Sequence, residues 1–222
     1  MNTFLKRAVW VLFAIPAAYL SIIWNALPQQ VPMHYNIQGK VDRYGSKEEL
    51  ILMVGLLTAI NIGVYFLLVN VHRIDPKQKY RGENVGVMRK LAFAICLFIA
   101  AILCVVLYSV QQGELTFRPS LIVIAIGLLF AVIGNYFYSI KPNYFAGIRT
   151  PWALENENNW KLTHQLGGKL WFAGGIAIAV AGFLLESWPL FALVMAVALV
   201  LLIVPIAYSY RLYAREKRIK RM

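Results

Sequence analysis

The chain has 222 residues, of which 60% are hydrophobic and only 14% are charged, and its formal net charge is +12. An ordinary soluble domain carries roughly 25% charged residues, and a soluble chain of this size could not bury so much apolar surface in one core. The composition therefore excludes an ordinary soluble domain and indicates that a lipid bilayer solvates much of the surface.

Six apolar stretches reach or approach the length of a membrane-spanning helix, because a hydrocarbon core of ~30 Å needs about 20 helical residues. They cover residues 8–27, 50–70, 91–110, 120–140, 170–186 and 190–209. Between the last two, Ser187-Trp188-Pro189 predicts a tight turn rather than one broken span. We therefore predict an all-α, polytopic membrane protein with six transmembrane helices.

The distribution of basic residues predicts how these spans are oriented. If the N-terminus is cytoplasmic, 18 of the 22 Lys and Arg residues fall on the cytoplasmic side and 4 fall outside. Short cytoplasmic loops are enriched in Lys and Arg, so this asymmetry predicts an N-in/C-in topology. Topology then accounts for the positive charge, and we expect no direct nucleic-acid binding.

The predicted spans carry no Asp, Glu, Lys, Arg or His at depth. Ion-coupled pumps and proton relays usually need such residues, so the sequence disfavours both. Asn61 and Asn135 are strongly polar residues within spans, and we expect each to hydrogen-bond to a neighbouring helix. Gly175, Ala179 and Gly182 share one face of the fifth span and predict close packing of another helix there.

The outer loop over residues 28–49 holds the first group of candidate site residues. Asn36–Gly39 predicts a turn, and Ser46 predicts the N-cap of the second helix. Four ionisable or aromatic side chains lie between these features: His34, Asp42, Arg43 and Tyr44. They form either a binding surface or a structural cap in which Asp42 pairs with Arg43 or a backbone donor. A metal site at His34 and Asp42 would need further ligands, and we expect none.

The inner segment over residues 140–169 predicts a short interfacial cytoplasmic helix. Thr150-Pro151 has the residue types of an N-cap and a first helical position, so we expect a helix over about 151–166. Trp160 and His164 would share one face of it, and Gly167-Gly168 would end it before the fifth span.

Arg149, just before this helix, has two open interpretations: it binds an anion such as a lipid phosphate, or it braces the loop by bonding carbonyl groups. No catalytic signature is present, since the sequence has no HExxH, no P-loop and no paired carboxylates on one helix face. Cys96 and Cys104 lie in one apolar stretch and offer no metal or redox framework. We expect neither an enzyme nor a cofactor.

These two segments resemble a known family. The inner segment resembles the SdpI-like family of bacterial immunity membrane proteins through the run Pro142-Asn143-Tyr144-Phe145-Ala146-Gly147-Ile148-Arg149-Thr150-Pro151-Trp152, followed by Trp160, Thr163-His164 and Gly167-Gly168. The outer segment, with Val31-Pro32-Met33-His34-Tyr35-Asn36 and Asp42-Arg43-Tyr44-Gly45-Ser46-Lys47, resembles the small membrane domain of unknown function that precedes it in that family. Ala153 and Gln165 depart from the pattern, where we expect Thr and Arg.

The resemblance implies a multi-pass protein of the bacterial cytoplasmic membrane with two parts. Residues 1–75 would form a two-helix membrane domain with the outer loop 28–49, and residues 76–222 a four-helix SdpI-like domain with the inner motif 140–169. It also implies protection against a secreted, membrane-active toxin peptide and, in the best-known member, recruitment of a soluble transcriptional repressor to the membrane. Membrane lipids are further expected partners.

If the function is as the resemblance implies, we hypothesise that toxin binding involves the polar cluster of the outer loop, and partner docking the inner motif. The toxin-binding candidates are His34, Asp42, Arg43 and Tyr44, and the docking candidates are Asn143, Arg149, Trp152, Trp160 and His164. Two other functions remain open. The first is a small transporter or flippase for an amphipathic peptide or lipid. The second is a membrane enzyme acting on lipid headgroups, which the predicted topology disfavours because it places His34 and Asp42 opposite Arg149 and His164.

Overall fold

The computed structural model describes residues 3–80, 82–115 and 117–219. Seven α-helices and one β-hairpin make up most of these residues. In chain order they are α1 (Thr3–Ile23), β1 (Gln30–Tyr35), β2 (Val41–Ser46), α2 (Lys47–Ile74), α3 (Val85–Gln112), α4 (Ser120–Phe137), α5 (Pro151–Glu155), α6 (Glu157–Leu184) and α7 (Ser187–Ile219). Short 3₁₀ turns follow α1 at Trp24–Ala26 and α2 at Gln78–Tyr80.

Six of the helices, all except α5, are long and apolar enough to cross a membrane. The predicted number of spans is therefore confirmed, and the chain is a multi-pass membrane protein. The helices run up and down the bundle, so every connection lies at one of two ends. We call these the hairpin end, which holds β1 and β2, and the motif end, which holds the motif segment, residues 140–169.

The two ends have separate hydrophobic clusters. At the hairpin end, Leu27 and Val31 pack with Leu50 of α2 and with Leu107 and Val110 of α3. At the motif end, Val87, Met88 and Leu91 of α3 meet Phe137, Ile140, Ala153 and Trp160. Because α3 contributes to both clusters, it fixes the hairpin and the motif segment to one common helix. The proposed division after residue 75 stays a prediction.

Helices α4 and α6 pack with their backbones almost in contact. A Cβ atom added to Gly175 would lie 2.4 Å from the backbone nitrogen of Ala131, and one added to Gly134 would lie 2.4 Å from that of Phe172. No side chain fits at such distances, so glycine is required at both positions. This close approach confirms the packing face predicted for the fifth span.

Three local predictions need correction. The outer loop contains two antiparallel strands, whereas its sequence predicted only a turn. The short helix is α5, which ends at Glu155 rather than near residue 166. Gly167 and Gly168 do not interrupt a helix, because α6 runs continuously from Glu157 to Leu184 and packs both glycines against the 137–148 region and α4. Packing in a contact that excludes a side chain outweighs the weak helix propensity of glycine.

The two polar residues within spans have different surroundings. Asn61 is buried, and its Nδ2 atom donates a hydrogen bond to the carbonyl oxygen of Cys96 on α3, at 3.3 Å. This confirms the expected bond between helices. Asn135 instead lies exposed on α4 with no protein partner in the described part of the chain, so the prediction for that residue is wrong.

Candidate functional site

The β-hairpin is a short, tightly turned element whose tip rests on the helical bundle. The side-chain oxygen of Asn36 accepts hydrogen bonds from the backbone amides of Gln38 and Lys40, both at 3.0 Å. Gly39 has φ +79°, a conformation that favours glycine. A Cβ atom there would lie 3.0 Å from Cγ of Pro119, so the turn packs against the α3–α4 connection. The predicted turn is thereby confirmed.

The base of the hairpin is held by the first turn of α2. Ser46 caps this helix by accepting a hydrogen bond from the amide of Glu49, as predicted. Lys47 is buried, and its ammonium group donates to the carbonyl oxygen of Trp24 at 2.7 Å while lying 4.5 Å from the centre of that ring. Burial also raises the pKa of the Tyr35 phenol, which keeps this group uncharged. These contacts fix the base of the hairpin to the first turn of α2 and to the turn that follows α1.

All four candidate residues are exposed, and together they contribute to the exposed surface of the hairpin. Nδ1 of His34 lies 2.6 Å from a carboxylate oxygen of Asp42 on the opposite strand. Arg43 donates to the carboxylate of Glu49 at 3.0 Å, and the Tyr44 ring is 58% exposed. The Asp42–Arg43 pair of the structural-cap alternative does not form, because successive residues of a strand point to opposite faces. Glu49 belongs to this surface and was missed as a site residue, since its partner lies six residues away.

A cleft of about 430 Å³ opens beside the hairpin tip, between α4 and α7. Gln38 lines it on the hairpin side, and Leu190 and Phe191 line it on α7. Arg118 and Glu186 form an ion pair of 3.2 Å next to it. The hairpin end thus offers a cleft lined by apolar residues and an ion pair at the tip of the hairpin. Together with the exposed side chains of His34, Asp42, Arg43 and Tyr44 on the same hairpin, this combination is suited to an amphipathic ligand.

In the motif segment, Asn143 organises the chain between α4 and α5. Its side-chain oxygen accepts from the amides of Phe145 and Ala146, and its side-chain nitrogen donates to the carbonyl groups of Lys141 and Ala146. Asn143 is completely buried and uses its amide group for these four bonds. Its contacts are all within the loop, so its observed role is to shape that loop.

Trp160 and His164 stack on each other, with ring centroids 4.0 Å apart, which confirms the predicted shared helix face. Both rings are buried and bonded to the loop: Nε1 of Trp160 donates to the carbonyl of Ile140, and Nε2 of His164 accepts from the amide of Ile148. Nδ1 of His164 then donates to the carbonyl of Trp160 at 2.9 Å. This pattern requires the neutral Nδ1–H tautomer.

A second polar cluster joins the motif segment to α7 through Ser209. Its hydroxyl group donates to Asn159 at 2.7 Å and lies within hydrogen-bonding distance of Thr150, at 2.9 Å, and of Nε1 of Trp152, at 2.8 Å. Thr150 also caps α5, as predicted. Ser209 was missed by the sequence analysis because it lies at least 50 residues from these partners and has no motif around it.

The structure separates the five docking candidates into two groups. Asn143, Trp160 and His164 are buried, so a soluble partner cannot touch them in this conformation. Arg149 is exposed, and its guanidinium donates to the carbonyl of Tyr144 at 2.6 Å, which supports the loop-bracing interpretation. Trp152 is half-buried and stacks on Tyr213 of α7. The docking role itself stays a prediction.

Known proteins match the two regions that contain these clusters. Residues 139–209 match the model of the SdpI/YfhL protein family, and residues 11–58 match a domain of unknown function, DUF1648. The chain is 24% identical over 213 residues to the immunity protein SdpI of Bacillus subtilis (strain 168). This alignment covers 95% of the present chain and 98% of that protein. No solved structure matches significantly. The resemblance to the SdpI family is thereby confirmed, with the inner motif and the hairpin each inside a matched region.

Proposed function

We propose that this SdpI-family membrane protein is an immunity protein, which protects the cell that makes it against a secreted, membrane-active peptide toxin without catalysing a reaction. The observation that carries the proposal is the extent of the match to the B. subtilis immunity protein, which covers 95% of this chain. A match of that extent takes in the hairpin and the motif segment together.

We assign the hairpin end to the outside of the cell. The described bundle brings Lys40, Arg43, Lys47 and Arg118 to the hairpin end, and the other 18 basic residues belong to the opposite end by sequence. The acidic residues divide evenly between the two ends, five to each, so the hairpin end has a net charge of −1 and the motif end +13. The positive-inside rule counts Lys and Arg rather than net charge, so the division of 18 to 4 supports a cytoplasmic motif end.

In this orientation the exposed surface of the hairpin faces an arriving toxin. Its Tyr44 side chain is an aromatic contact, and the His34–Asp42 pair and Arg43 supply polar contacts. Exposed tyrosines on a rigid scaffold contribute strongly to binding, because few side-chain rotamers are lost. The adjoining cleft would take the apolar part of the peptide.

The test measures survival of a strain in which the gene for this protein is deleted. The strain is exposed to culture medium in which its parent strain has grown. The wild-type gene should restore survival, and Tyr44→Ala or Asp42→Ala should reduce protection at equal membrane abundance. Glu114→Ala is the matched control, because it removes an exposed group from the same end outside the hairpin. Full protection by both hairpin variants would exclude the hairpin as the contact surface. No loss of survival on deleting the gene would overturn the immunity function itself.

We further propose that the motif end docks a soluble transcriptional repressor, through Arg149 and Trp152. Asn143, Trp160 and His164 would hold the loop that presents these two side chains. A fluorescent fusion of a DNA-binding protein encoded beside the gene should move to the membrane with the wild-type chain and stay cytoplasmic with Arg149→Ala. Lys161→Ala, an exposed position of the same segment, is the control. Export of a labelled peptide from vesicles carrying the protein would favour the transporter or flippase alternative instead.

A further inference from the structure

A polar patch lies on the lipid-facing surface of α4 and α6, away from the exposed hairpin residues and from the Ser209 cluster. A groove of about 470 Å³ runs beside the contact of the two helices, where Gly134 and Gly168 have no side chains to fill it. Four polar side chains and one aromatic ring line the groove: Asn135, Tyr138, Gln165, Lys169 and Phe172. Lys169, Asn135 and Tyr138 are exposed, so the groove opens outward from the bundle.

The polar groups of the groove have no partner among the residues that the structure describes. Within residues 3–80, 82–115 and 117–219, no hydrogen bond or ion pair engages the side-chain amides of Asn135 and Gln165 or the ammonium group of Lys169. Exposing an amide or an ammonium group to hydrocarbon without a partner costs free energy. A molecule of the surrounding membrane should therefore supply the missing acceptors.

The depth of the groove in the bilayer identifies the kind of molecule. Helix α4 has 18 residues and is therefore about 27 Å long, close to the thickness of the hydrocarbon core. Asn135 lies within its last turn and Tyr138 directly follows it, so the patch lies where acyl chains meet headgroups. Phe172, one turn of α6 further toward the bilayer centre than Lys169, would lie beside an acyl chain.

We infer that this groove binds an anionic phospholipid at the motif end. The phosphate group accepts hydrogen bonds from the Lys169 ammonium group and from the amides of Asn135 and Gln165, while an acyl chain lies against Phe172. The net negative charge of the lipid balances Lys169, which has no carboxylate partner in the described structure. Basic pockets between transmembrane helices bind anionic lipids in this way. The inference is independent of the immunity function.

The test is a titration of the purified full chain in neutral detergent, with bound lipid counted by native mass spectrometry. Phosphatidylglycerol should bind more tightly than phosphatidylcholine of the same chains, and Lys169→Gln should weaken its binding about fivefold, as expected for loss of one membrane-proximal cation. Lys161→Gln is the matched control, because it removes an exposed lysine two turns earlier on the same helix. Its affinity should stay within twofold of the wild type.

Four results would overturn the inference, the last of them with inorganic phosphate. The first is equal binding of the two lipids, and the second is an equal loss of affinity in both lysine variants. The third is a wild-type dimer that Asn135→Leu makes monomeric, which would show that a second copy covers the patch. The fourth result comes from a competition measurement with inorganic phosphate. Phosphate should not reduce phosphatidylglycerol binding, and a reduction at equal concentration would show a free-anion site instead.

Discussion

Replacing Ser209 with alanine should destabilise the protein by about 2 kcal/mol, because its hydroxyl group is fully used. A serine hydroxyl has one donor and two acceptor sites. Here it donates to Asn159 and accepts from Thr150 and from Nε1 of Trp152. Ser209 is completely buried, and leaving a buried donor without an acceptor costs about 1–3 kcal/mol. Thr150 is buried and Trp152 is half-buried, so we take the middle of that range.

The assay is reversible unfolding in detergent, followed by tryptophan fluorescence. Ser21→Ala is the matched control, since the Ser21 hydroxyl is exposed and bonds only within its own helix, to the carbonyl of Ala17. The control should change the free energy of unfolding by less than about 0.5 kcal/mol. If Ser209→Ala changes it no more than the control does, the cluster does not hold the motif segment to α7 and the reasoning fails.

Two further predictions concern the topology and the motif segment. In a background without native cysteines, a cysteine at Gln38 should react with an impermeant thiol reagent in intact cells, whereas one at Asn158 should react only after permeabilisation; external labelling at Asn158 would refute the proposed orientation. His164→Phe should keep the stack on the neighbouring tryptophan but leave a loop amide without its acceptor, which costs about 1–3 kcal/mol in the same unfolding assay. An unchanged stability would show that this bond does not hold the loop.

The sequence alone predicts features whose causes are local in the chain. Hydropathy identifies the six spans because each helix must satisfy its own backbone within the bilayer. The turn at Asn36–Gly39 and the caps at Ser46 and Thr150 follow from side chains that bond backbone groups two or three residues away. Such interactions do not depend on how the helices later pack.

Features that depend on packing between distant segments were missed or misassigned. Trp160 and His164 were placed on the correct helix face, but their burial depends on a loop that begins 20 residues earlier. Two further interactions join segments far apart in sequence, and no local sequence pattern indicates either of them. They are the Arg118–Glu186 ion pair and the Ser209 cluster. The hairpin strands were missed because β1 contains a proline, a residue that argues against a paired strand.

A single substitution at Gly168 can distinguish a flexible hinge from a tightly packed position. A Cβ atom on Gly168 would lie 2.9 Å from the carbonyl oxygen of Gly134 and 3.3 Å from Cβ of Phe137. A hinge glycine gains stability when it becomes alanine, by up to about 1 kcal/mol of helix propensity. A glycine in a tight contact loses about 1–3 kcal/mol from overpacking.

For Gly168→Ala we therefore expect a net loss of about 1 kcal/mol in the free energy of unfolding. Gly63→Ala is the control, since nothing lies within 4 Å of a Cβ atom at that position of α2, and it should be neutral or stabilising. A stabilising Gly168→Ala would show that the contact of α6 with α4 does not require glycine at this position. A destabilising one would support Gly168 as a packing position in the contact of α6 with α4.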